Sequence, residues 1–92
     1  MNTSTEDMND AVVLITGAAG NLGRAVAEVF AQRGARLALV DLHAGRLAAA
    51  LGGAGDRRMF LAADLMKATE ADALAQAVVK RFGRIDVLCN LA

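Results

Sequence analysis

The chain has no tyrosine, no tryptophan and no proline, and one histidine and one cysteine among 92 residues. Without tyrosine, none of its residues can serve as a phenolic proton donor. His43 and Cys89 alone cannot assemble a zinc site from the usual nitrogen and sulfur ligands, so no metal site is expected. A single cysteine excludes an intrachain disulfide and fits a reducing, cytoplasmic setting. Charge of one sign is also missing, because ten basic residues balance ten acidic ones. That balance gives no electrostatic reason to expect nucleic acid or an anionic membrane as partner. Long apolar runs are absent too. Ala11–Ile15 and Leu37–Val40 are far shorter than a membrane span. The 21 alanines inflate the hydrophobic fraction of 55%. At this length one domain is the ceiling.

The first ten residues, MNTSTEDMND, are polar and acidic. They lack the basic and apolar regions of a signal peptide and are expected to form a disordered tail. From residue 11 the pattern alternates. Ala11–Thr16 (AVVLIT) is a β-branched run that predicts a strand buried on both faces. A glycine-rich turn follows at Gly17–Gly23. Leu22, Val26, Val29 and Phe30 then fall on one helical face, with Gly34 as its stop. Arg36–Asp41 predicts a second strand and Leu42–Leu51 a weaker helix. Arg58–Asp64 predicts a third strand. A third helix carries Leu74, Val78 and Phe82, capped by Thr69 with Asp72 behind it and stopped by Gly83. Ile85–Ala92 predicts a fourth strand.

The order βαβαβαβ predicts an α/β fold with a parallel sheet. Right-handed crossovers put the first two helices on one face. A fourth strand returning beside the first puts the third helix on the other. The expected strand order is 3-2-1-4, the first half of a doubly wound, Rossmann-type fold over residues 11–92.

The turn TGAAGNLG (residues 16–23) stands where a strand meets a helix. A pyrophosphate must approach the backbone closely there, and the helix N-terminus offers it N–H groups and partial positive charge. Gly17 would make the tight exit from the strand, Gly20 would allow the approach, and Gly23 would let helix and strand pack. Asn21 tolerates left-handed backbone and so suits the turn. Asp41 closes the second strand, where a carboxylate can accept both ribose hydroxyls of an adenosine and repel a 2′-phosphate. That predicts NAD rather than NADP. His43, Arg46 and Arg24 read as solvent-facing neighbours. A methyltransferase fold is disfavoured, because Thr16 stands where such proteins usually carry an acidic residue.

With these residues placed, the chain resembles the short-chain dehydrogenase/reductase family from about Ala11 onward. TGAAGNLG resembles the family's TGxxxGxG turn, LVD (39–41) its acidic strand end, AADL (62–65) its Asp-Val or Asp-Leu pair, and FGRIDVLCNLA (82–92) the stretch ending in Asn-Asn-Ala-Gly. Asn21 replaces a glycine of the shorter members, and Leu91 replaces an asparagine. The resemblance implies that Asp64 bonds the adenine amino group, that Leu65 lines its pocket and that Leu42, beside Asp41, also binds the cofactor. It further implies that Leu22 belongs to the cofactor turn, that Asn90 steadies the central sheet, and that Ala92 lies against the adenosine. The family's serine and Tyr-x-x-x-Lys match no position here, so no catalytic residue is assigned. The resemblance implies an oxidoreductase acting on an alcohol or carbonyl, with this chain as its cofactor-binding portion. The alternative is a binding module that self-associates through the fourth strand and an uncovered sheet face.

Overall fold

The structure is a computed structural model and describes residues 8–92. The elements run β1 (Val12–Thr16), α1 (Asn21–Gln32), β2 (Arg36–Asp41), α2 (Ala44–Leu51), β3 (Arg58–Ala62), α3 (Ala68–Phe82) and β4 (Val87–Asn90). All pairings are parallel, in the order β3-β2-β1-β4 expected from the alternation.

The two-residue period of the strands divides the core into two layers. Val13, Ile15, Leu37 and Leu39 meet Ala27 of α1 and Leu47 of α2 on one face. Val12, Leu14, Ala38, Val40 and Met59 meet Leu74, Val78 and Phe82 of α3 on the other. All five residues of β1 are buried, which accounts for its unbroken apolar run. Each fully buried aliphatic side chain contributes roughly 1.5–3 kcal/mol. Leu47 is the only buried residue of α2 and anchors that short helix.

Three expectations are corrected here. The buried face of α1 is Gly23 and Ala27 with half-buried Val26 and Phe30, while Leu22 and Val29 are 63% and 48% exposed. Small residues set this face because the helix lies close to the chain beneath Gly23. Thr69 does not cap α3. The helix begins at Ala68 with Lys67 as N-cap, and no side chain bonds the cap. Strands β3 and β4 are also shorter than expected, so Asp64 and Ala92 belong to loops.

Residues 1–7 of the expected tail lie outside the described residues. Met8–Asp10, assigned to the same tail, are hydrogen-bonded to the domain. Met8 N–H donates to the Arg33 carbonyl at 2.9 Å and Asp10 N–H to the Gly34 carbonyl at 3.2 Å. Asp10 Oδ1 lies 3.3 Å from Arg57 Nη1.

Asp86 ties the start of β4 to β1. Its Oδ2 accepts Val12 N–H at 2.8 Å, and its Oδ1 pairs with Arg84 Nη2 at 2.7 Å. The Val12 hydrogen bond, with help from Arg84, holds the Asp86 carboxyl below the ordinary value of 3.8, against the opposing effect of burial. A depressed folded-state value stabilises the fold above the unfolded value, and that stability is lost as pH falls through the folded value. Thermal midpoints measured from about pH 5 down to about pH 2 should therefore fall less steeply for Asp86→Asn than for the parent. Parallel curves would remove this role.

Candidate functional site

Parallel strands bring all their C-terminal ends to one edge of the sheet. From β1 the chain crosses one way to β2, and β4 later returns on the other side, so the loops diverge between β1 and β4. Crevices in open α/β sheets form at such points. A cleft of about 540 Å³ lies at this edge, within the usual range of roughly 300–1,000 Å³ for small-molecule sites. Gly17, Asp41, Leu42, Asp64, Leu65, Asn90 and Ala92 line it, together with Val40, Ala63 and Met66. Gly20, Asn21, Leu22 and Gly23 are not on its wall. They form the turn and the first turn of α1.

The turn glycines answer to different neighbours. Gly17 has φ +67°, and a Cβ there would sit 2.9 Å from the Leu91 carbonyl and the Ala92 nitrogen. Gly17 therefore lets the chain leaving β4 pass against the turn. A Cβ on Gly23 would strike the Gly17 carbonyl oxygen and lie 2.8 Å from Ala18 Cα. A Cβ on Gly20 would meet only the Gly17 oxygen, at an ordinary 3.4 Å. The fold thus leaves room at Gly20. Asn21 does not use left-handed backbone. It opens α1, and among the described non-glycine residues only Asp10 has positive φ.

The helix start is electrostatically open. Gly20 is the N-cap and offers no side chain, and the first turn of α1 holds no acidic residue. Arg24 N–H makes the first helical bond, to the Gly20 carbonyl at 2.9 Å. The N–H groups of Asn21, Leu22 and Gly23 precede that bond and face the end of the helix where anions bind.

Asp41 is tied to this turn. Its Oδ2 accepts Ala19 N–H at 3.2 Å and its Oδ1 accepts Leu42 N–H at 2.9 Å. Arg46 Nη1 stands 3.8 Å from Oδ1, so Arg46 is exposed yet within ion-pair reach of the carboxylate. Arg24 lies away from the cleft, on a groove between α1 and α2. Asp64 closes a tight loop after β3, its Oδ1 accepting Met66 N–H at 3.0 Å.

Asn90 joins β4 to β1. Thr16 Oγ1 donates to Asn90 Oδ1 at 2.7 Å and accepts Leu91 N–H at 3.1 Å. Thr16 is 3% exposed and is the one buried polar residue of the described chain. Thr16 and Ala19 went unread as site-forming residues. A hydroxyl ending an otherwise apolar strand was the available signal for Thr16. Val40 and Ala63 were legible only as neighbours of Asp41 and Asp64, and Met66, 92% exposed, carried no signal.

Residues 11–92 match the family model described as short chain dehydrogenase. D-threitol dehydrogenase of Mycolicibacterium smegmatis is 46% identical over 88% of this chain and 32% of its own length. A 3-ketoacyl-(acyl-carrier-protein) reductase from Brucella melitensis, solved with NADH, is 34% identical with a TM-score of 0.81. It covers 89% of this chain and 34% of that one. The C-domain of a bacterial malonyl-CoA reductase, solved with NADP, is 32% identical with a TM-score of 0.83, covering 96% and 15%. The chain spans about a third of the length of the curated relatives it matches.

Proposed function

The chain belongs to the short-chain dehydrogenase family, and we propose that its cleft binds a nicotinamide dinucleotide, NAD in preference to NADP, chiefly through the adenosine half. The meeting of Gly17, Asp41 and Asp64 on one cleft at the strand switch point carries this reading. The chemistry of the set fits the cofactor. The open N–H groups of Asn21, Leu22 and Gly23, beside Gly20, suit a pyrophosphate. The Asp41 carboxylate suits two ribose hydroxyls and opposes a 2′-phosphate. Leu42 and Leu65 offer apolar walls to a purine, Asp64 an acceptor for its amino group, and Ala92 a small surface beside the adenosine. Asn90 acts one step back, by holding β4 to β1.

Bound nicotinamide supplies hydride transfer. We assign that chemistry, with an alcohol or carbonyl substrate, to a whole protein of which these residues are the cofactor-binding portion. No residue here receives a catalytic role. Free Cys89 accords with a cytoplasmic protein, and among the described residues no helix is long and apolar enough to cross a membrane.

The test is titration of NAD, AMP and NADP followed by amide chemical shifts. NAD and AMP should move the amides of residues 17–23, 41–42 and 64–65 with Kd of roughly 0.1–1 mM, and NADP should bind more weakly. Millimolar NAD that moves none of them overturns the reading.

A second property has its own support. β4 is an edge strand, and Leu88 on it is 62% exposed. An unpaired edge with an exposed apolar side chain favours self-association. The same samples should elute from size exclusion above monomer size as concentration rises. A monomer at every concentration removes the oligomerising reading.

A further inference from the structure

The loop between β3 and α3 is held by a side chain outside the cleft. Glu70 lies in the first turn of α3, three residues after the N-cap Lys67. A carboxylate there faces the positive end of the helix, and in a capping box it would bond the N-cap N–H. Here it reaches further back. Glu70 Oε1 accepts Asp64 N–H at 2.8 Å. Lys67 N–H instead donates to the Asp64 carbonyl at 3.0 Å, while Asp64 Oδ1 accepts Met66 N–H at 3.0 Å. Three hydrogen bonds therefore converge on Asp64. Lys67 Nζ stands 3.7 Å from Glu70 Oε2 and balances its charge.

Glu70 borders a separate small hollow with Leu61, Ala73 and Leu74, behind the loop. Asp64 and Leu65 line the cleft in front of it. The hydrogen bond from Asp64 N–H sets the peptide plane at residue 64, and that plane sets where the Asp64 carboxylate and the Leu65 side chain stand. We propose that Glu70 is a positioning residue, which holds the 64–67 loop so that Asp64 and Leu65 form the purine-facing wall of the cleft. The role rests on the adenosine reading of that cleft. Glu70 acts through Asp64 and needs only to accept a hydrogen bond.

That need separates the variants. Glu70→Gln keeps an oxygen acceptor for Asp64 N–H and loses only the ion pair with Lys67, an exposed pair of small worth. Glu70→Ala removes the acceptor. The alanine variant should weaken AMP binding roughly five- to tenfold and speed hydrogen exchange at the Asp64 amide in the free protein. The glutamine variant should stay within about twofold of the parent in both. If the alanine variant does not fold, Glu70→Ser, too short to span back to residue 64, replaces it.

Unchanged AMP affinity in a folded alanine or serine variant overturns the proposal. So does a glutamine variant as impaired as the alanine one, because it keeps the acceptor. An Asp64 amide that exchanges equally fast in parent and alanine variant overturns the loop-holding role itself. A parent chain that binds no AMP overturns the cofactor reading instead, and the exchange measurement distinguishes that failure from this one.

Discussion

Gly23→Ala is expected to destabilise the domain by about 2–4 kcal/mol, read as a lower urea midpoint. Alanine inside a helix would normally add about 1 kcal/mol over glycine. Here the added methyl would meet the Gly17 carbonyl oxygen and stand 2.8 Å from Ala18 Cα. Both are backbone atoms of a turn, so no side-chain rotation relieves the overlap. The turn itself is pinned, because Ala18 N–H donates to the Val40 carbonyl at 3.0 Å and Ala19 N–H to Asp41. The helix must therefore lift from the sheet, and Ala27 lifts with it. The loss is a large share of the roughly 5–14 kcal/mol expected of a domain this size.

Gly20 gives the matching control. Its added methyl finds only ordinary contact with the Gly17 oxygen. Gly20→Ala should cost no more than about 1 kcal/mol, the ordinary N-cap preference for glycine over alanine, and yet weaken NAD binding if the space it fills receives the proposed pyrophosphate. The Gly23 clash is with the turn beneath the helix, in keeping with the packing role that its place in the motif predicts. Equal midpoints for Gly23→Ala and the parent would remove that packing role.

The same contrast shows what a sequence exposes and what it conceals. The strands were legible because burial on both faces demands unbroken apolar runs, as in VVLIT and LALV. Strand order followed from the handedness of crossovers and the return of β4. That Gly17, Asp41, Asp64 and Ala92 meet on one cleft was legible because parallel strands bring their C-terminal ends to one edge of the sheet. The inner face of α1 was concealed, since Leu22 and Val29 are more hydrophobic than Gly23 and Ala27, and hydrophobicity does not encode how closely a helix approaches. The start of α3 was concealed for a different reason. Thr69 is a good cap in isolation, but the convergence of Met66, Lys67 and Glu70 on Asp64 decides where the helix begins. Contacts between distant positions leave no local trace, as with Thr16 and Asn90 or Gly17 and Leu91.

Asp41 carries the other large expected effect, and its geometry divides that effect in two. The carboxylate already accepts Ala19 N–H and Leu42 N–H, so it is oriented before any ribose arrives. Its side chain is 10% exposed, which strengthens its hydrogen bonds relative to water. Asp41→Ala should weaken NAD binding roughly ten- to a hundredfold, the loss expected for hydrogen bonds to a charged acceptor. It should also loosen the glycine turn, because Ala19 N–H loses its partner. Asp41→Asn keeps one oxygen for a backbone N–H and removes the charge. Arg46, 3.8 Å from the carboxylate in the parent, then has no anion to pair with and can meet a 2′-phosphate. The asparagine variant should therefore bind NADP at least as well as NAD, whereas the parent should bind NAD more tightly than NADP. Adding Arg46→Ala to Asp41→Asn should lower NADP affinity again while leaving NAD nearly unchanged. Calorimetry on the four proteins separates the contributions. If the asparagine variant keeps the parent's preference for NAD, the Asp41 carboxylate does not set it, and the charge at the end of β2 serves the turn alone.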